Sequence, residues 1–201
     1  GDMVLFSEKL AADKLPDPIG CAAAALGAPV NGLEGAAMPQ VFSKLYRKSF
    51  CESEKLHFCK DLANGEDMLF NLRCLLGGAQ VQAFQTSFYQ FRKNMASSTN
   101  RANTKILATN QLFYGELEGI LRDMHSESWL ALWLKDFSHL NGLYTCLYHL
   151  TGKSDLSAGQ KRKLMAEVLA QENHRSSLIR RRVYAGEIAA PRRIALGMLH
   201  R

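Results

Sequence analysis

The chain has 201 residues, which corresponds to one large domain or two small ones. Its hydrophobic content of 47% is typical of a protein with a buried core and argues against disorder. No run approaches the roughly 18 consecutive apolar residues of a membrane span, and the first residues lack the layout of a signal peptide.

The formal net charge of +6 is concentrated at one end of the chain. Between Lys161 and Arg201 there are ten Lys or Arg residues and three Glu. A basic end on a near-neutral body indicates an anionic partner, either a membrane surface or nucleic acid. The alternative is a solvated helix surface.

The five cysteines are odd in number, widely spread and contain no Cys-x-x-Cys pair. They are Cys21, Cys51, Cys59, Cys74 and Cys146. This pattern argues against a disulfide framework and a zinc site, so we expect free thiols in a reducing compartment.

The first 51 residues predict two strands separated by a long connection. Asp2–Ser7 is typical of a short buried strand. Residues 13–40 are rich in Pro, Gly and Ala, which predicts a surface or active-site loop with one or two helical turns in the Ala run 22–25. Val41–Cys51 predicts a strand followed by a short helix.

A helix is predicted from Glu66, because apolar residues follow at helical spacing and Gly77-Gly78 provides a stop. Asn64 is a candidate N-cap. The aromatic residues of Ala79–Lys93 then predict one or two strands.

Beyond Ser97 the sequence predicts helices only. Apolar stripes run through residues 106–121 and 129–147, and Ser157 with Gln160 resembles a capping box that opens a third helix. Pro191 would begin a last short helix. Together these patterns predict a small α/β region followed by a mainly α-helical segment, with helices dominating overall.

Glu66 and Asp67 form an adjacent carboxylate pair at the start of the predicted helix. Acidic residues in a first turn gain roughly 0.3–1 kcal/mol from the helix dipole, so the pair has a purely structural explanation. The second interpretation is that the pair has a catalytic role, and the flanking motifs decide between the two interpretations.

Three segments in order resemble the family 2 glycosyltransferases, which have the glycosyltransferase-A fold. They are "SKLYRKSF" (Ser43–Phe50), "LANGEDMLFNLRCLLGG" (Leu62–Gly78) and "FYQFRKNMASST" (Phe88–Thr99). The resemblance implies an inverting transfer of a sugar from a nucleotide-sugar donor to a hydroxyl acceptor, a glycan or a lipid-linked one, in cell-surface glycan synthesis. Three linked matches carry far more weight than a lone Glu-Asp pair.

The same resemblance implies roles for individual residues. Asp67 takes the position of the catalytic base, and Glu66 that of a partner that positions the acceptor. Lys44 and Arg47 would face the donor phosphates or pack against the loop below Asp67. Without the resemblance, both would be interpreted as surface charges. Arg92 would lie near the donor diphosphate or the acceptor, and a cross-strand ion pair is its alternative.

The chain also departs from the family pattern. Family members begin with a nucleotide-binding unit whose Asp-x-Asp motif holds a divalent metal, Mg²⁺ or Mn²⁺, and this chain contains no Asp-x-Asp. We therefore expect residues 1–97 to be the acceptor-side part of a glycosyltransferase-A domain and residues 98–201 a helical extension, a chain that is inactive and binds no metal alone. The Gln-x-x-Arg-Trp segment of polymerising members is absent too, which favours transfer of a single sugar. His57 is expected to be an ordinary residue rather than a ligand.

Other readings stay open. The chain could be a non-catalytic helical module whose arginines bind nucleic acid, although no nucleic-acid fold signature accompanies them, or a pseudoenzyme of the same family.

Residues 174–201 interleave Arg with apolar residues, so they could lie on an anionic membrane or complete a helical core. We expect a cytoplasmic protein, peripheral on the inner membrane face in the first case, with no nucleic-acid partner and with a homodimer as an option.

Overall fold

The computed structural model describes residues 1–6, 18–28, 38–62, 64–86, 89–90, 92, 106–123, 129–152 and 156–170. The elements in chain order are β1 (Met3–Phe6), α1 (Pro18–Ala25), β2 (Lys44–Tyr46), α2 (Lys48–Ser53), α3 (Glu66–Leu76), β3 (Val81–Phe84), α4 (Ile106–Asp123), α5 (Trp129–Gly152) and α6 (Ala158–Ala170). The predicted class is confirmed: a small α/β region and a helical segment, with helices dominating.

The chain divides into two compact units. The first consists of Gly1–Phe91 and Gly119–Met124, and the second of Arg92–Glu118 and His125–Arg201. Helix α4 therefore contributes residues to both units.

The sheet of the first unit has the order β2-β1-β3. Strand β1 pairs antiparallel with β2 and parallel with β3, so that Met3 is opposite both Tyr46 and Val81. Along β1 the side chains alternate, and Met3 and Leu5 are fully buried. The strand predicted at Asp2–Ser7 is thus confirmed. Of the one or two strands predicted over Ala79–Lys93, one is present as β3, which ends at Phe84 opposite the last residue of β1; residues 87, 88, 91 and 93 lie outside the described residues.

The face of the sheet opposite to Met3 and Leu5 exposes large apolar side chains. Leu45 pairs with Val4, and Phe84 pairs with Phe6, which places all four on one face. Leu45 is 57% exposed and Phe84 is 50% exposed. The Phe6 and Phe84 rings stack with their centroids 5.7 Å apart.

Helix α1 confirms the helical turns predicted in the Ala run and shows that they are buried, while residues 13–17 and 29–37 of the predicted loop lie outside the described residues. Within residues 13–40, the Ala-rich stretch forms eight helical residues that pack on α3, and residues 21–26 are buried. Alanine is the best helix former and its small side chain allows close packing. The short apolar run is therefore a core helix.

Helix α3 is capped by a glycine at each end. Its N-cap is Gly65 in the left-handed conformation (φ 90°), so the predicted cap at Asn64 is wrong. Glycine has no Cβ, which makes a positive φ inexpensive at this position. The predicted stop is confirmed: Gly77 is the C-cap, and Gly78 has φ 86°.

The second unit contains most of α4 and all of α5 and α6. Asn110 of α4 contacts Cys146 of α5, and Glu118 pairs with Lys135, so α4 and α5 run antiparallel. The capping box of α6 is confirmed, because the Ser157 and Gln160 side chains each bond the other's backbone N–H. The five cysteines are free, as predicted.

None of the helices in the described ranges is long and apolar enough to cross a membrane. The predicted helix after Pro191 and the basic segment 174–201 lie outside the described residues.

Candidate functional site

The candidate site is organised by one face of α3, which holds the irregular segment Met38–Val41. Asp67 and Asn71 are four residues apart and therefore share this face. The Val41 N–H donates to Asp67 Oδ2 at 3.2 Å. Asn71 Nδ2 lies 3.0 Å from three successive backbone carbonyl oxygens, those of Met38, Pro39 and Gln40.

Tyr46 extends this network to the sheet. Its hydroxyl donates to Asn71 Oδ1 at 2.6 Å. Burial raises the pKa of Tyr46 well above its usual range, so the phenol stays a neutral donor. Asn71, which is fully buried, thus uses both its amide nitrogen and its oxygen.

Lys44 is the buried cation of the site. The residue is only 6% exposed, and its Nζ donates to the Gln40 carbonyl oxygen. Burial lowers the pKa of Lys44 to about 8, although the negative charge of Asp67 acts in the opposite direction. The interpretation of Lys44 as a surface charge is therefore wrong, and packing beneath Asp67 is the alternative that the structure supports.

Asp67 and Glu66 occupy the first turn of α3, as predicted, and both are half-buried. The carboxylate of Asp67 bonds a backbone N–H that lies 26 positions earlier in the chain. This tertiary contact adds to the favourable interaction that a first-turn carboxylate has with the helix dipole. A carboxylate on a partly buried residue, oriented by an N–H donor and acting on a lysine through its charge, is suited to accept a proton from a bound hydroxyl.

Arg47 is directed towards the start of the chain. Its Nε lies 3.3 Å from Asp2 Oδ1, and its Nη2 donates to the Gly1 carbonyl oxygen. The guanidinium is exposed, so this pair adds little stability. Arg92 is exposed, follows the end of β3 and belongs to the second unit, so its role at the donor diphosphate stays a prediction.

His57 is exposed, as expected for an ordinary residue, and its Nδ1 lies 2.8 Å from the Lys55 carbonyl oxygen. Across the described parts of the chain, no three His, Cys, Asp or Glu side chains are grouped so that they could hold a metal ion.

The sequence interpretation missed the role of Asn71. It is a polar residue within an otherwise apolar stretch of α3, and it lies one helical turn after Asp67. A buried polar side chain requires hydrogen-bond partners. The spacing could therefore have indicated a second anchor beside Asp67.

Searches against protein-family models, curated proteins and solved structures found no match to this chain.

Proposed function

We propose that this chain is the acceptor-side portion of an inverting glycosyltransferase, which moves a sugar from a nucleotide-sugar donor to a hydroxyl acceptor in cell-surface glycan synthesis. The observation that supports the proposal is the placement of Asp67. Asp67 is only partly buried, its carboxylate is fixed at the start of α3 by the Val41 N–H, and its charge acts on the buried Lys44.

In the proposed reaction, Asp67 accepts the proton of the acceptor hydroxyl as that oxygen forms a bond to the anomeric carbon of the donor. The bond from the anomeric carbon to the diphosphate oxygen breaks on the opposite face, and the diphosphate leaves with the electron pair. Val41 holds one carboxylate oxygen, so the carboxylate does not need to reorient before the transfer.

The proposal assigns donor binding to protein outside these 201 residues, because the chain has no Asp-x-Asp sequence. A divalent metal, Mg²⁺ or Mn²⁺, would be held there and would neutralise charge on the leaving diphosphate. The residues described here would contribute the base and the acceptor side.

The test is Asp67→Asn in the complete gene product, assayed for release of nucleoside diphosphate over a panel of nucleotide sugars. We expect turnover to fall by about 10²–10⁴, because the amide cannot accept the proton. Asp61→Asn is the matched control, since Asp61 is an exposed carboxylate shortly before α3. Equal turnover in Asp67→Asn and the control would exclude Asp67 as the base.

A further inference from the structure

Two aromatic rings stack on each other, and one of them belongs to the segment that binds the candidate carboxylate. The rings of Phe42 and Tyr89 have centroids 4.7 Å apart and planes inclined by 13°. Phe42 directly follows Val41, whose N–H binds Asp67. Adjacent Cα atoms are only about 3.8 Å apart, so the backbone that carries Phe42 is held close to the carboxylate. Tyr89 is 41% exposed.

We propose that the exposed part of Tyr89, whose ring stacks on Phe42, is a stacking platform for a pyranose ring of a glycan acceptor. The choice of ligand rests on the proposed function. The location rests on the stacked pair and its link through Val41 to Asp67.

The chemistry of a pyranose matches this surface. One face of the sugar ring presents C–H groups with a small positive charge, and an aromatic face carries the negative part of a quadrupole. Covering the C–H groups and the aromatic face also removes apolar area from water. The sugar hydroxyls then remain at the rim of the platform, where a neighbouring carboxylate can accept a hydrogen bond.

Phe42 makes the platform more rigid. A ring that already stacks on a neighbour loses little freedom when a ligand covers its exposed part. Val41 is fixed by Asp67 and Gln40 by Lys44 and Asn71, so the chain that carries Phe42 is held on its N-terminal side. The network described above therefore positions the platform as well as the carboxylate.

A second exposed aromatic residue provides the control. Phe84 is 50% exposed and stacks on Phe6, but it lies on the outer face of the sheet. If any exposed, stacked ring bound sugars, Phe84 and Tyr89 would behave alike. If the position beside Asp67 matters, only Tyr89 will affect binding.

The experiment measures sugar binding by the present chain with no donor added. The probes are cellotetraose, maltotetraose and chitotetraose, with sorbitol as a polyol that has no ring, and the readouts are saturation-transfer NMR and titration calorimetry. We expect at least one tetrasaccharide to bind and sorbitol not to bind. Tyr89→Ala and Tyr89→Leu should weaken binding by about tenfold, while Tyr89→Phe and Phe84→Ala should stay close to the wild type.

The platform is excluded if no tetrasaccharide binds the wild type, if Tyr89→Ala binds as well as the wild type, or if Phe84→Ala weakens binding equally. Circular dichroism of each variant verifies that the fold is retained. Turnover that depends on Asp67 without any effect of Tyr89→Ala on sugar binding would overturn the platform alone. Platform binding together with full turnover in Asp67→Asn would overturn the proposed function alone.

Discussion

Two regions of this protein bury polar side chains, and they use them differently. In the first unit, Asn71 bonds three carbonyls of the irregular segment Met38–Val41. In the second unit, the polar contacts join side chains of two helices. Asn110 donates to Cys146 Sγ at 3.3 Å, and the Tyr114 and His139 rings lie 3.9 Å apart.

The difference follows from what each backbone requires. Helices α4 and α5 satisfy their own backbone groups, so polar residues between them are available to fix how the two helices align. The segment Met38–Val41 belongs to no helix or strand, and its carbonyls and N–H groups need side-chain partners. We therefore infer that the stability of the helix pair depends on close packing, whereas the stability of the first unit depends on hydrogen bonds to the irregular segment.

The largest effect is expected from Gly142→Ala in α5, which tests the close fit of the helix pair. A Cβ at this position would overlap the Tyr114 hydroxyl oxygen and lie 3.1 Å from its Cζ. Overpacking of this kind costs about 3 kcal/mol, which would lower the melting temperature of the helical signal by roughly 6–12 °C.

Gly115→Ala is the matched control, because a Cβ there meets open space in α4. This variant should be more stable than the wild type by up to about 1 kcal/mol, the difference in helix propensity. Adding Tyr114→Phe to Gly142→Ala should recover part of the loss. If Gly142→Ala melts like Gly115→Ala, the close contact of Tyr114 with Gly142 is incorrect.

An intermediate effect is expected from Asn71→Ala, which tests the hydrogen bonds of the first unit. The change leaves the Tyr46 hydroxyl and the carbonyls of Met38–Val41 without the amide that binds them, at a cost of about 2 kcal/mol in the free energy of unfolding. Amide hydrogen exchange at Val41 should accelerate.

Tyr46→Phe is the companion variant, since it removes only the hydroxyl that donates to Asn71. Its expected cost is about 1 kcal/mol, with little change in exchange at Val41. Slow exchange at Val41 in Asn71→Ala would show that the segment is held by other contacts.

The last expected effect is the pH dependence of stability due to Lys44, which is gradual, at about 1 kcal/mol for each pH unit. The pKa of Lys44 is about 8 in the folded protein, below its ordinary value of 10.5. Between these values the unfolded chain binds more protons, so the free energy of unfolding should rise with pH, at about 1 kcal/mol per unit. The penalty for burying the charge is complete below pH 8 and is relieved as pH approaches 10.5.

Lys44→Met keeps much of the side-chain volume and removes the titrating group. Urea unfolding at several pH values should show that wild type and variant differ most below pH 8 and converge towards pH 10. Parallel curves for the two proteins would mean that Lys44 is solvated rather than buried.

Much of the fold could be predicted from local sequence patterns. The alternation along β1, the apolar spacing of α3 and the capping box of α6 each depend on residues close in sequence. The length of β3 was not accessible in this way. A strand requires a pairing partner, and β3 pairs with β1 over Met3–Phe6, which lies far from it in sequence.

The candidate site was predicted only in part. The first-turn position of Asp67 follows from the helix pattern, but the burial of Lys44 and the bond to Val41 depend on chain segments that are distant from α3 in sequence. The burial of α1 was missed because an alanine run has no periodic contrast between apolar and polar residues. These features arise from tertiary packing, which a single sequence does not display.

The parallel pairing of β1 with β3 has a consequence for synthesis. Met3 pairs with Val81, so the first strand cannot complete its sheet until residues near position 81 have left the ribosome. At about 5–20 residues per second this delay is several seconds, and Met3 and Leu5, fully buried in the finished fold, stay accessible throughout it. The segment that carries β1 is therefore open to chaperones and proteases until β3 has been made.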